Sequence, residues 1–171
     1  NPLLSSNINK ELLYLADKNN LKLPNCCLNN IIENSIFSNE GFSICLSLID
    51  KLISLNIENI IFPLFSASEF NPDNLNEFFV KIFNHVNNKR INFLIESDVP
   101  IIFQKEFLDK FNRDNIGLVY DLGNASYCGY DIKEDITLVN DYIKLIHIKD
   151  KNEYGENVSL GKGIVDFLKF K

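Results

Sequence analysis

INFLIESD at residues 91–98, IGLVYDLGN at 116–124 and YIKLIHIKD at 142–150 are the three stretches that decide the fold. Each is a short apolar run that ends in polar residues, which is typical of a strand covered on both faces. Apolar residues at helical spacing lie between them. Buried strands that alternate with helices predict a parallel β-sheet in an α/β fold.

The same alternation extends toward the start of the chain. Helices are expected at 7–18, at 41–55, from the Asn71-Pro72-Asp73 start onward, around 103–111 and around 136–143, with further strands at 21–29 and 57–65. We count five βα units of about 25 residues each, a repeat typical of a (β/α)8 barrel. A doubly wound open sheet produces the same alternation, so periodicity leaves both folds open. Residues 1–171 are expected to form one domain.

Composition and charge narrow the class of protein. The chain is 46% hydrophobic and 23% charged, with a net charge of −6, so it can bury a core and lacks the basic face that nucleic-acid binding needs. No apolar run approaches the roughly 20 residues that span a bilayer, and no signal-peptide pattern is present. We therefore expect a cytoplasmic protein with neither nucleic acid nor membrane as a partner.

The four cysteines suggest no metal or redox role of their own. Cys26 and Cys27 are adjacent, while Cys45 and Cys128 stand alone, so no CxxC spacing occurs. Cysteines in this pattern, in an intracellular chain with enough apolar residues, are expected to be buried thiols.

Three strand ends carry residues that can bind a metal ion. Glu96, Asp121 and His147 lie at the carboxyl ends of the three strands quoted above. In a barrel these ends converge on the face where active sites form. Two carboxylates and one imidazole predict a divalent-metal site for Mn²⁺, Mg²⁺, Co²⁺ or Zn²⁺, with Mn²⁺ favoured and a structural zinc disfavoured because no thiolate is present.

A purely structural interpretation stays open for each of these residues. An acid at a strand end is often a helix cap or a turn former. His147 lies in an apolar strand and is expected to be buried, where a metal ion or a backbone carbonyl would satisfy it. His85 lies on a predicted helix and is expected to be a solvated surface residue.

YDLGN, HIKD and LGKGIVDF, in this order and spacing, resemble the sugar phosphate isomerase/epimerase family, which has a xylose isomerase-like TIM barrel and is related to the family 2 AP endonucleases. The resemblance covers most of the chain, from the NPLLSS start to the DF at 166–167. It implies that Glu96, Asp121 and His147 are metal ligands, that Glu96 is one of two catalytic glutamates, and that Asn124 contacts the substrate.

Two further features follow from local spacing. Lys149 lies two residues beyond His147, so its side chain is expected to point into the same mouth as a substrate-binding residue. Gly161 and Gly163 are expected to serve a tight turn, because a lone GxG is weak evidence for phosphate binding.

The resemblance implies a metal-dependent isomerase or epimerase that acts on a sugar or sugar phosphate through an enediolate. The alternatives are an inactive fragment of such a barrel, a related polyol dehydratase and an AP endonuclease-like hydrolase. The second catalytic glutamate of the family comes from an eighth strand, and this chain ends at Lys171 before it. The absence of Met even at position 1 indicates an incomplete reading frame. The resemblance implies that the chain holds strands 3 to 7 of a longer barrel, and a homo-oligomer stays open.

Overall fold

The computed structural model describes residues 6–29, 36–65, 70–86, 91–111 and 113–169, and the side chains from residue 10 onward within these ranges. The NPLLSS start falls almost entirely outside the described residues. No helix among the described residues is long and apolar enough to cross a membrane.

Helices and strands alternate along the chain. The larger elements are α1 (Ser6–Lys18), β1 (Asn25–Cys27), α2 (Asn39–Ser54), β2 (Asn59–Leu64), α3 (Pro72–His85), β3 (Asn92–Ser97), α4 (Ile101–Leu108), β4 (Ile116–Asp121), α5 (Leu122–Tyr127), α6 (Ile132–Val139) and β5 (Ile143–His147), followed by the short strands β6 (Asp150–Lys151) and β7 (Asn157–Val158).

Five of the strands form one sheet in the order β1-β2-β3-β4-β5, which is also their order along the chain. The pairs β1–β2 and β4–β5 are parallel. A parallel sheet in sequential order with helical crossovers is the arrangement of consecutive βα units in a barrel. The predicted fold class, a partial (β/α)8 barrel of five βα units, is confirmed.

The chain divides into two compact units, and the first comprises Asn1–Phe62 and Pro72–Phe93. Its core is aromatic: the Phe62 ring packs edge-on against Phe78 and Phe79, with ring centroids 5.7 and 5.4 Å apart. Such pairs add to the stabilisation from buried area. Helix α2 begins where the Ser38 hydroxyl accepts a hydrogen bond from the Gly41 N–H.

Helix α1 differs from the expected amphipathic packing. Of the residues that share one face of this helix, Ala16 is 8% exposed, but Leu12 and Leu15 are 40% and 46% exposed. Helical spacing places side chains on a common face, but only a neighbouring element can cover that face.

The second unit comprises Pro63–Asn71 and Leu94–Lys171, and it contains the three strand ends singled out above. Every residue of β4 is buried. The Phe107 ring packs against Phe70 and Phe111, with centroids 5.8 and 5.1 Å apart. Two predicted boundaries were wrong: the LGN of 122–124 begins α5 instead of extending β4, and Ile143 begins β5 instead of ending a helix.

The prediction of four buried thiols was wrong in part. Cys45 is fully buried, and burial raises its pKa to about 12. Cys26 and Cys27 are partly exposed, and Cys128 is exposed. Cys128 directly follows the last residue of the short helix α5, where no further turn of helix covers it.

Candidate metal centre

The ends of β3, β4 and β5 bring Glu96, Asp121 and His147 together. One possible ligand atom from each of these side chains lies within 4.8 Å of the others. His147 Nδ1 lies 3.3 Å from Glu96 Oε1 and 3.5 Å from Asp121 Oδ2. The structure therefore places the three sequence-predicted residues around one point, as a single ion would require, whereas their role as ligands remains a prediction.

A one-residue irregularity in the sheet puts His147 opposite Asp121. The register pairs Leu118 with Ile143 but Val119 with Leu145, so β5 carries one extra residue at this point. Without that shift Asp121 would face Ile146, and the imidazole would point to the other face of the sheet.

Gly117 permits this close approach of β5. A Cβ atom at position 117 would lie 2.5 Å from the Tyr142 carbonyl oxygen and 3.0 Å from Lys144 Cγ. Since real Cβ atoms do not approach a carbonyl oxygen so closely, the glycine of IGLVYD is required by the irregular pairing next to it. The apolar pattern of IGLVYD gives no signal for this role of Gly117.

The two carboxylates are buried and the imidazole is not. The side chains of Glu96 and Asp121 are 6% and 3% exposed, whereas that of His147 is 36% exposed. The expectation of a buried histidine was wrong because β5 is the last strand of the five-stranded sheet, so its outer edge has no neighbouring strand in that sheet.

Burial governs the charge state of Glu96. It raises the pKa of the Glu96 carboxyl, and the nearby Asp121 adds to the rise, while His147 and Lys149 oppose it. A carboxyl held in this way can take up a proton more readily than a solvated one.

Asp121 combines a structural and a candidate functional role. Its Oδ1 accepts a hydrogen bond from the Asn124 N–H at 2.8 Å and so caps α5. Its Oδ2 is buried and forms an ion pair with the Lys149 ammonium, 2.7 Å away. Two buried carboxylates and an imidazole nitrogen that lie within 4.8 Å of one another are a donor set that suits a divalent cation. The residues present therefore fit a divalent metal ion.

Gly123 makes room for Lys149. A Cβ atom at position 123 would lie 2.7 Å from Lys149 Cγ and 3.1 Å from the Lys149 carbonyl oxygen. The glycine of YDLGN therefore lets the lysine side chain pass over the start of α5 and reach Asp121, so Lys149 does point into the predicted mouth.

A cavity of about 360 Å³ has Asn124 and Lys149, which both contact Asp121, in its lining. It is lined by Phe65, Asp98, Asn124, Tyr127, Cys128, Lys149 and Lys151. Asn124 and Lys149, both predicted to bind the substrate, thus share one cavity. Its size is that of an ordinary small-molecule pocket. Tyr127 and Lys151 were missed because neither belongs to the strand-end pattern.

Asp150 holds the loop that follows the candidate centre. It is 1% exposed, and its carboxylate accepts hydrogen bonds from the N–H groups of Gly161, Gly163 and Val165 at 2.9, 2.8 and 3.1 Å. Burial acts to raise the pKa of Asp150, but these hydrogen bonds bring it below its ordinary value. The expected tight turn is present, with Gly161 at φ +78°. Its glycine N–H groups point to Asp150, not to a ligand.

Comparison with known proteins gives the class of this fold. Residues 100–171 match the family model described as xylose isomerase-like TIM barrel. The resemblance predicted from the motifs is confirmed over this part of the chain. No match was found among curated proteins.

Three similar solved structures agree with this class. A xylose isomerase domain protein from Planctomyces limnophilus is 17% identical with a TM-score of 0.74, and the match covers 97% of this chain and 69% of that one. The IOLI protein with a binding zinc atom is 16% identical with a TM-score of 0.65, covering 77% and 54%. A D-allulose 3-epimerase from Methylomonas sp. in complex with D-allulose is 18% identical with a TM-score of 0.60, covering 79% and 53%.

At these identities the likeness shows the fold alone. The chain spans between about half and two thirds of the length of these three structures. Fold and motifs therefore define a chain with the architecture of the xylose isomerase-like barrels, whose neighbours include a sugar epimerase and a zinc-binding protein.

Proposed function

We propose that this chain carries the metal-binding half of a divalent-metal-dependent isomerase or epimerase acting on a sugar or sugar phosphate. The observation that carries the proposal is the convergence of one ligand atom each from Glu96, Asp121 and His147 within 4.8 Å. The zinc atom of the IOLI protein and the D-allulose of the Methylomonas epimerase support it by analogy of fold.

The ligand set favours a hard or borderline cation. Glu96 and Asp121 would supply carboxylate oxygens, and His147 would supply Nδ1, the ring nitrogen that faces both. This combination suits Mn²⁺ best, with Mg²⁺, Co²⁺ and Zn²⁺ as alternatives. A bound ion would polarise a substrate carbonyl and acidify the adjacent C–H bond.

Glu96 is the residue in position to move a proton. It is buried beside His147 at the candidate centre, and a carboxylate in this place would accept a proton from the substrate and return it. Lys149 would hold the Asp121 carboxylate, and Asn124 would orient a substrate hydroxyl in the adjoining cavity. Proton transfer at the carbon next to a carbonyl is common to epimerases and aldose–ketose isomerases.

Metal titration with matched variants tests the proposal. Wild type, Glu96→Gln and the control Glu106→Gln, an exposed glutamate on α4, are titrated with Mn²⁺ by calorimetry. We expect wild type and the control to bind one ion equally and Glu96→Gln to bind at least about tenfold more weakly. Equal affinity in all three proteins, or no binding by any, contradicts the metal site.

A substrate panel then tests the reaction class. The Mn²⁺-loaded chain is incubated in ²H₂O with ketoses, ketose phosphates and a cyclic polyol, and products are identified by NMR. Incorporation of deuterium next to the carbonyl that depends on Glu96 supports proton transfer. Loss of water from the polyol alone would assign the site to a dehydratase instead.

A further inference from the structure

The cavity beside the candidate centre contains two lysines with different partners. The Lys149 ammonium is committed to Asp121 at 2.7 Å. The Lys151 ammonium lies 5.2 Å from the centre of the Tyr127 ring. Within the described residues no carboxylate is recorded in ion-pair contact with Lys151. Its positive charge is therefore available to something that enters the cavity.

The surroundings of Lys151 hold it in place. Lys151 is paired with Asn157 in the β6–β7 hairpin. The Asn152 side chain ties the hairpin together by accepting hydrogen bonds from the N–H groups of Tyr154 and Glu156, each at 3.0 Å. The hairpin also touches the cavity wall at its turn, because a Cβ atom at Gly155 would lie 2.8 Å from Tyr127 Cζ. Lys151 and the Tyr127 ring thus line one side of the cavity, where the hairpin restricts their movement.

Charge balance indicates what the cavity attracts. The buried Asp150 carboxylate accepts hydrogen bonds from three backbone N–H groups. Glu96 and Asp121 face the candidate metal centre, where a bound divalent cation would balance their charges. Lys151 lines the cavity, and a cationic side chain attracts ions of the opposite sign, so a group that approaches it is favoured when it carries a negative charge.

We propose that Lys151 binds an anionic group, a phosphate ester or a carboxylate, of a sugar whose carbonyl end lies at the metal centre. The inference rests on the proposed function and names its substrate class. The Tyr127 ring supplies an aromatic surface beside the ammonium, and Asn124, which lines the same cavity, supplies a side-chain amide. An anionic group would form a charge-assisted hydrogen bond with Lys151 that is stronger than the bond a neutral sugar hydroxyl can form.

Binding of matched ligands tests the inference. The Mn²⁺-loaded chain is titrated by calorimetry with D-fructose 6-phosphate, D-glucuronate and D-fructose. We expect wild type to bind one of the charged ligands at least about tenfold more tightly than D-fructose, since a charge-assisted hydrogen bond is roughly twice as strong as a neutral one. The charged ligand that binds more tightly identifies the anion as phosphate or carboxylate.

Variants of Lys151 separate its role from general charge effects. Lys151→Gln should lose about tenfold or more of the affinity for the charged ligand and none for D-fructose, and Lys151→Arg should keep most of it. The control Lys133→Gln removes an exposed lysine on α6, outside the cavity, and should bind as wild type. Unchanged affinity for the charged ligand in Lys151→Gln, with equal unfolding temperatures, overturns the inference.

These titrations distinguish a failure of the proposed metal site from a failure of the inference about Lys151. Lys151→Gln removes no proposed metal ligand and is expected to keep Mn²⁺ binding. If neither wild type nor this variant binds Mn²⁺, the proposed function fails. Titration of the metal-free chain then decides the present inference: Lys151-dependent binding of the charged ligand supports it, and Lys151-independent binding overturns it.

Discussion

The Lys149 ammonium lies 2.7 Å from Asp121 Oδ2, in a site where a second buried carboxylate, Glu96, faces the same imidazole. Two buried anions close together disfavour each other's ionisation, and each is stabilised by a nearby cation. Lys149 provides part of this positive charge from the protein itself. A metal ion at the centre would have to share Asp121 with it.

Removal of the lysine charge should therefore strengthen metal binding. Lys149→Gln is expected to raise the Mn²⁺ affinity by roughly three- to tenfold, because a positive charge within several Å of the ion is lost. Calorimetric titration measures this, with Lys162→Gln, an exposed lysine in the turn at 159–163, as the matched control. Weaker binding in Lys149→Gln would mean that the lysine mainly positions Asp121.

Asp121→Asn distinguishes the two roles of this residue, as the N-cap of α5 and as a candidate metal ligand. Asparagine caps helices about as well as aspartate, so the hydrogen bond from the Asn124 N–H can be kept. The negative charge is lost, and Mn²⁺ affinity should fall by roughly 100-fold or more, beyond the loss typical of residues outside the ligand shell. Near-native helix content by circular dichroism together with native metal affinity would show that Asp121 is a cap only.

Gly117→Ala should disturb the pairing of β4 with β5 and, through it, the position of His147. The new methyl group would press on the Tyr142 carbonyl and the Lys144 side chain, at a cost of about 1–3 kcal/mol for overpacking. Because the shifted register places His147 opposite Asp121, metal affinity should fall together with stability. Urea unfolding and Mn²⁺ titration of the same variant test this, and unchanged metal affinity would contradict the link.

Tyr120→Phe should destabilise the chain more at neutral than at acid pH. The Tyr120 hydroxyl donates a hydrogen bond of 2.8 Å to Asp135 Oδ2, worth about 1 kcal/mol. Burial raises the pKa of Asp135, and this hydrogen bond opposes the rise. The stabilising effect of a raised carboxyl pKa is complete below the pKa of the unfolded chain and is lost as the pH rises through the folded pKa.

The variant should therefore show a higher pKa at Asp135 and a destabilisation that grows between about pH 3 and pH 7, because only the carboxylate loses its donor. Urea unfolding across this range, with NMR titration of the Asp135 carboxyl, measures both effects. A destabilisation that is constant with pH would exclude the link to Asp135.

Asp150→Asn should loosen the loop at 159–165. The amide replaces one of two carboxylate oxygens that accept three backbone N–H groups, so at least one buried donor loses its partner. We expect a lower unfolding temperature and faster amide exchange at Gly161 and Gly163. The lowered pKa of Asp150 gives a second test. The stability that ionised Asp150 contributes to the fold is present above the pKa of the unfolded chain and is lost as the pH falls through the folded pKa. Wild type should therefore lose this part of its stability at acid pH. Asp150→Asn has no carboxyl at this position, so its stability should not show this dependence on pH.

The strand and helix pattern, and the three strand-end residues, could be predicted because they depend on local periodicity and on a general property of parallel sheets. The carboxyl ends of adjacent parallel strands lie at one edge, so the sequence alone predicts that Glu96, Asp121 and His147 lie together. The YDLGN and HIKD motifs also pointed to the matched barrel class.

Burial was predicted less well, because it depends on which elements lie next to each other. Leu12 and Leu15 share a helix face but are exposed, and Cys128 is exposed at the end of a short helix. His147 is accessible because β5 is the last strand of the five-stranded sheet. None of these outcomes is encoded in the spacing of apolar residues.

By itself, then, the sequence determined the order of the βα units and the kinds of residue that end their strands, since both follow from interactions among near neighbours. Only the tertiary structure decided the extra residue in β5 that turns His147 toward Asp121, the reach of Lys149 across Gly123, and the placing of Lys151 beside Tyr127. These features depend on contacts between residues distant in the chain, whose strength comes from exact register and close packing.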